Sequence, residues 1–150
     1  MIQVVSSLYE QDYYLWLEEQ VHALESLALD KLDVANLIIE IQGMGKAEKL
    51  VLESNLRIFL MHLLKWIYQD NKRTNSWKFT IREHRKRIIK TLKQSPSLKN
   101  YYQEILAEAY QDARELAADE TGLPITIFPV ECEFTPPQIL DPEFLTNHRQ

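Results

Sequence analysis

Glycine is nearly missing from this chain: 150 residues contain three, at Gly43, Gly45 and Gly122. Tight hairpins of the Asn-Gly or Asp-Gly kind need positive φ, and no such dipeptide occurs, which argues against an all-β fold. Cysteine is scarcer still. A lone Cys132 makes an intrachain disulfide impossible and suits a reducing compartment. It reads as a small, partly buried hydrophobe and not as a reactive thiol. Long apolar runs are also wanting. The most apolar window, LRIFLMHLLKWI from Leu56 to Ile67, carries Arg57, His62 and Lys65 and falls short of the ~20 residues a bilayer demands. The opening MIQVVSSLYEQD has neither a positive cluster nor a long apolar stretch, so no secretory signal is read there. The expectation is a soluble, cytoplasmic protein with no membrane role.

What is present fits a globular chain. Hydrophobic residues make up 45% and charged residues 26%, values at which a disordered reading fails. Repeats, low-complexity tracts and Gly/Ser linkers are lacking, so residues 1–150 are expected to form a single helical domain. The net charge of -5 conceals a segregation. Residues 1–45 hold one lysine against eight acids, net -7. Residues 46–99 hold fourteen bases against four acids, net +10, and residues 100–150 hold two arginines against ten acids, net -8. Asymmetry on this scale is informative about partners, whether inside the molecule or outside it.

Hydrophobic spacing predicts an all-α fold: a bundle of about four long helices with an irregular, proline-containing C-terminal strap. A first helix is expected from Tyr9 to Leu27, with Tyr9, Tyr13, Trp16, Gln20, Leu24 and Leu27 on one stripe. Asp33 suits the N-cap of a second. Gly43 and Gly45 cost about 2 kcal/mol together relative to alanine, which predicts a kink or break and leaves continuity across 33–70 open. Beyond them Leu52, Leu56, Phe59, Leu63 and Trp66 form the most apolar stripe in the chain. Asn75 or Ser76 is expected to cap a basic helix over 77–93, and Ser97 a fourth helix over Leu98–Asp119 ended by Gly122. The tail, residues 123–150, holds five of the six prolines and is expected to pack on the bundle through Ile125, Phe128, Phe134, Ile139 and Phe144. Within it ITIF could be extended, and TPPQIL has the form of a capping box built on Thr135 and Gln138.

Several segments, in order, resemble a known family. GMGKAEK, FLMHLLKW, SWKFTIREHRKRI, SPSL, AYQDARELAADETGLP and FPVECEFT together look like the bacterial family catalogued as domain of unknown function 29. The similarity runs from about Asp12 to Phe144. What the resemblance implies is an all-α bundle of bacterial origin; it brings no activity, cofactor or catalytic residues.

Chemistry-bearing patterns are sparse. There is no Gly-x-Ser-x-Gly and no His near Cys132 in sequence, and GMGK lacks the strand and spacing of a phosphate loop. His22, His62 and His84, on three expected helices, are the metal candidates, yet a single Glu-x-x-His pair, Glu19 with His22, is present. No cofactor is expected, and Trp16, Trp66 and Trp77 read as core residues. The basic helix is the functional candidate. Lys78, Arg82, Arg85, Lys86 and Lys90 offer a face for a polyanion or partner. Against this stands the acidic row Glu104, Glu108, Asp112 and Glu115 on the following helix, which a short connection would bring alongside. Internal pairing of the two rows is the preferred reading. The function expected is a non-enzymatic interaction or regulatory module with a protein partner; a nucleic-acid-associated protein and a metal-dependent helical-bundle enzyme are the alternatives. Oligomeric state is not legible.

Overall fold

Capping chemistry and apolar spacing divide the chain into helices and short connections. The computed structural model describes residues 7–144, and among them all regular structure is helical, with no strand. The chain forms two compact units, Met1–Ala47 and Glu48–Gln150.

In the first unit the expected helix over Tyr9–Leu27 is two helices, α1 (Leu8–Gln11) and α2 (Tyr13–Glu25). The cause is Asp12. Its backbone leaves the helical region, with φ -149° and ψ 89°, and its carboxylate accepts a hydrogen bond from the Leu15 N–H at 3.0 Å. A residue that satisfies an orphan amide as an N-cap starts a helix instead of continuing one. Trp16, Gln20 and Ala23 are buried, whereas Leu24 and Leu27 of the expected stripe are exposed. Polar bonds hold the unit together as much as packing does. Trp16 Nε1 donates to Asp33 Oδ2 at 3.0 Å, and the Asp33 N–H donates to Gln20 Oε1 at 2.8 Å. The Tyr9 hydroxyl donates to Glu40 at 3.2 Å. These bonds explain why Gln20 interrupts the stripe: its buried side chain accepts from a backbone donor at the start of the next helix.

Asp33 precedes α3 (Val34–Tyr68) and accepts from the Asn36 N–H at 3.4 Å, in keeping with its capping role. Helix α3 runs 35 residues through Gly43 and Gly45 without a break, which settles the continuity the sequence left open. Two glycines weaken a helix by a fixed amount, while the residues on either side supply strong helix formers over many turns.

In the second unit α3 meets α4 (Asn75–Gln94), α5 (Lys99–Thr121) and the tail with its short α6 (Pro136–Leu140). Leu52, Leu56, Phe59, Leu60, Leu63 and Leu64 are fully buried against Ile81 and Ile88 of α4 and Tyr110, Ala113 and Ala117 of α5. Neither expected cap holds at the helix starts. Thr74 caps α4, its hydroxyl accepting from the Trp77 N–H at 3.1 Å, and Ser97 lies inside a 3-10 turn, Pro96–Leu98. Gly122 ends α5 at φ 72°, a left-handed conformation glycine takes without strain.

The tail buries Phe128, Phe134 and Ile139 in the same core; Ile125 stays largely exposed, and ITIF forms a 3-10 turn, not an extended segment. The Thr135–Gln138 capping box is formed on both sides. Residues 145–150 lie outside the described residues. A proline-rich strap outside any sheet has carbonyls to satisfy, and side chains of the bundle satisfy them. Tyr102 donates to Pro136 O at 2.8 Å, Tyr110 to Pro129 O at 2.6 Å, Gln111 to Val130 O at 2.6 Å and Arg114 to Phe128 O at 3.0 Å. Burial pushes the Tyr110 hydroxyl up to about 12 and raises Tyr102 further.

Candidate polyanion-binding helix

Twenty residues of α4 present two chemistries. Ile81, Ile88 and Leu92 enter the core, and Trp77 lies half-buried at the start of the same face. Lys78, Arg82, Lys86, Lys90 and Lys93 are exposed. At 1.5 Å rise per residue, successive cations in the Lys78–Lys90 row stand about 6 Å apart along the axis.

Arg85 departs from that row. The sequence reading set it on the basic face, but it is 4% exposed. Its Nε donates to Ile139 O at 2.8 Å, its Nη1 to Pro142 O at 3.3 Å, and its guanidinium lies 5.0 Å from the Phe59 ring centroid. Burial lowers its proton affinity, which Asp141 partly restores, and Nη2 is buried without a partner. Arg85 ties the tail to α4 from within. A fourth-residue repeat of cations marks a helical row, yet it does not say which member turns inward.

The acidic row of α5 is exposed, as expected, at Glu104, Glu108, Asp112 and Glu115. The two rows do not pair. Among the described residues, the ion pair within 4.0 Å is Lys65 with Glu120 at 3.3 Å, which joins α3 to α5 and leaves the exposed cations of α4 with no carboxylate in range. This overturns the preferred reading of internal neutralisation. Each row occupies the solvent side of its own helix, while Ile88 and Leu92 of α4 and Tyr102 and Ile105 of α5 enter the core. Lys65 itself is buried and sits 4.7 Å from the Trp77 ring centroid, so its charge is met by a carboxylate and a π-face together. Arg73 stacks on Trp66 at 4.9 Å in the same manner.

One residue of this surface was not singled out from the sequence. Phe79 is 63% exposed and lines a small hollow of about 110 Å³ with Arg82, Glu83 and Lys86. Its spacing from Arg82 and Lys86, three and seven residues, was the available signal. Farther along the helix, Arg87 and Lys90 line a groove of about 480 Å³ with Glu48, Val51 and Asn55.

The family model for the domain of unknown function DUF29 matches residues 8–145. The chain belongs to that family. No curated protein matches it, and no solved structure does. The DUF29 match takes in α1 through α6, so it embraces both units without assigning chemistry to either.

The described histidines gather no ligand set. His62 Nδ1 donates to Ile58 O at 3.1 Å, and His84 Nδ1 donates to Thr80 O at 2.9 Å, bonds that fix each ring to its own helix. Burial lowers the proton affinity of His62, and Lys65 and His84 nearby add to the effect. His22 is exposed on α2, beside Glu18 and Glu19 in a shallow hollow. Among the described residues no three His, Cys, Asp or Glu side chains come together as a metal-holding group. Cys132 is half-buried, its thiol donating to Phe134 O at 3.3 Å, and burial raises its proton affinity, the reverse of what a nucleophile needs. No described helix is long and apolar enough to cross a membrane.

Proposed function

We propose that this DUF29 chain is a non-enzymatic interaction module that docks on a polyanion along α4. The observation that carries the reading is the exposed row Lys78, Arg82, Lys86 and Lys90, with no carboxylate within 4.0 Å among the described residues. Unneutralised cations at regular spacing on a rigid helix gain most from a ligand whose charges are also regularly spaced. Phe79 favours nucleic acid as that ligand, because an exposed aromatic ring beside cations offers an unstacked base a platform.

The test is a fluorescence-anisotropy titration with single-stranded DNA, duplex DNA and polyglutamate. Four phosphate contacts predict a log–log salt slope of roughly -3 to -4. Arg82→Glu combined with Lys86→Glu should abolish binding while leaving the melting temperature unchanged, since no internal pair is lost. Phe79→Ala should weaken single-strand binding by about 1–3 kcal/mol and spare polyglutamate. Affinity that is absent, or flat against salt, refutes the polyanion reading.

A further inference from the structure

Asn55 of α3 is 8% exposed, and among the described residues its carboxamide makes no hydrogen bond. A buried polar side chain without a partner costs stability, so it calls for one that the chain itself does not supply. Unlike Arg57 Nε and Arg85 Nη2, the amide atoms of Asn55 are not sealed from solvent. They reach it through the groove of about 480 Å³ that α3 and α4 enclose.

Helical spacing brings the rest of that groove together. Glu48, Val51 and Asn55 fall at i, i+3 and i+7 on α3, and Arg87, Lys90 and Gln94 fall at the same intervals on α4. Each helix thus turns one polar face to the space between. Arg87 and Lys90 have no carboxylate within 4.0 Å among the described residues, although Glu48 lines the same groove. Two cations, two carboxamides and a carboxylate share one hollow without bonding one another.

We propose that this groove binds an adenosine 5′-phosphate unit. Arg87 and Lys90 meet the phosphate, to whose oxygens a guanidinium offers paired donors. The Asn55 carboxamide sets a donor beside an acceptor, which the amino group and adjacent ring nitrogen of adenine answer. Adenine carries that pair on two of its edges, so either presentation satisfies the asparagine. Glu48 accepts from the ribose hydroxyls, and Val51 supplies an apolar contact for the ring. The volume falls within the ~300–1,000 Å³ of small-molecule sites. Free nucleotide and an unpaired nucleotide of a nucleic acid present the same chemistry. The groove shares Lys90 with the cationic row, yet the inference does not rest on the polyanion reading.

Isothermal titration calorimetry of the full chain with adenosine 5′-phosphate should show one saturable site. Ribose 5-phosphate, which lacks the base, and purine riboside 5′-phosphate, which lacks the amino group, should each bind about tenfold more weakly or worse. Asn55→Leu should abolish the preference for the amino group while keeping or raising the melting temperature. A merely structural asparagine would instead lose stability there. Arg87→Ala, at an exposed position, should weaken binding by about tenfold with unchanged circular dichroism, and it decides the matter if Asn55→Leu fails to fold. Lys78→Ala with Arg82→Ala, outside the groove, should leave the affinity as it is. Competition separates the sources: oligoadenylate that displaces the nucleotide marks a nucleic acid, and failure to displace it marks the free nucleotide. No saturable heat, equal affinity for ribose 5-phosphate, a preference that survives Asn55→Leu or an affinity that survives Arg87→Ala each overturns the proposal.

Discussion

Two stretches of one helix carry the same apolar stripe and meet opposite fates. From Leu52 onward α3 is sealed beneath α4, α5 and the tail; from Val34 to Gly45 its isoleucines stand in solvent. Intrinsic propensity does not separate the stretches, and neither does the 3.6-residue period. What differs is the supply of covering surface within reach. The first unit buries Trp16, Gln20 and Ala23, and its joints are hydrogen bonds centred on Asp33; the second unit encloses a continuous cluster drawn from four segments. Amphipathic spacing therefore reports where an oily face lies, and the fold decides whether the chain covers that face itself.

Paired substitutions give the sharpest way to break this contrast. Phe59→Ala should cost about 3–5 kcal/mol in urea unfolding, through lost contacts and a cavity. Ile38→Ala, one stripe position in the open stretch, should change the unfolding free energy by no more than ~0.5 kcal/mol. Equal losses at the two sites would erase the distinction. Next in size, Arg85→Ala should cost about 2–3 kcal/mol, because the carbonyls of Ile139 and Pro142 lose a charged donor. The comparison with an exposed neighbour such as Lys86→Ala, expected to be near neutral, tests whether Arg85 belongs to the interior.

Titration sharpens the contrast at opposite ends of the pH scale. Hydrogen bonds from Asn36 and Trp16 hold the Asp33 carboxyl below its ordinary 3.8. The unfolded chain thus takes up that proton more readily, so the stabilisation is present above 3.8 and is lost as pH falls through the lower folded value. Burial raises Tyr110 from 10.0 to about 12. Its contribution is complete below pH 10 and is lost as pH climbs through 12. Denaturation profiles against pH should show Asp33→Asn flattening the acid limb and Tyr110→Phe flattening the alkaline one. A variant that leaves its own limb unaltered removes that group from the account.

Much of the architecture was legible in the sequence. The basic helix was placed within two residues at its start and one at its end, and the Thr135–Gln138 capping box was read correctly, because both depend on residues close together in the chain. The misread caps share an origin. Asp12 fell inside one expected helix when it is the cap between two; Thr74 was passed over for Asn75 and Ser76. Choosing among adjacent capping residues requires backbone angles. Arg85 and the unpaired rows of α4 and α5 were missed for a different reason: rotation of a helix about its own axis depends on the whole core, and a few tens of degrees move a cation from water to the interior. Of the five cations named from the sequence, Lys78, Arg82, Lys86 and Lys90 are exposed and Arg85 is buried; Phe79 lies exposed among them.

The strap's carbonyls are met by Arg85, Tyr102, Tyr110, Gln111 and Arg114, all residues of the helices beneath it. Much of its conformation is therefore written in the bundle, beside what its own capping box supplies. A polypeptide severed after Gly122 would keep the donors and the hollows for Phe128, Phe134 and Ile139, so a synthetic peptide spanning residues 123–144 becomes its natural complement. Reassembly from two fragments is the engineering use this chemistry opens.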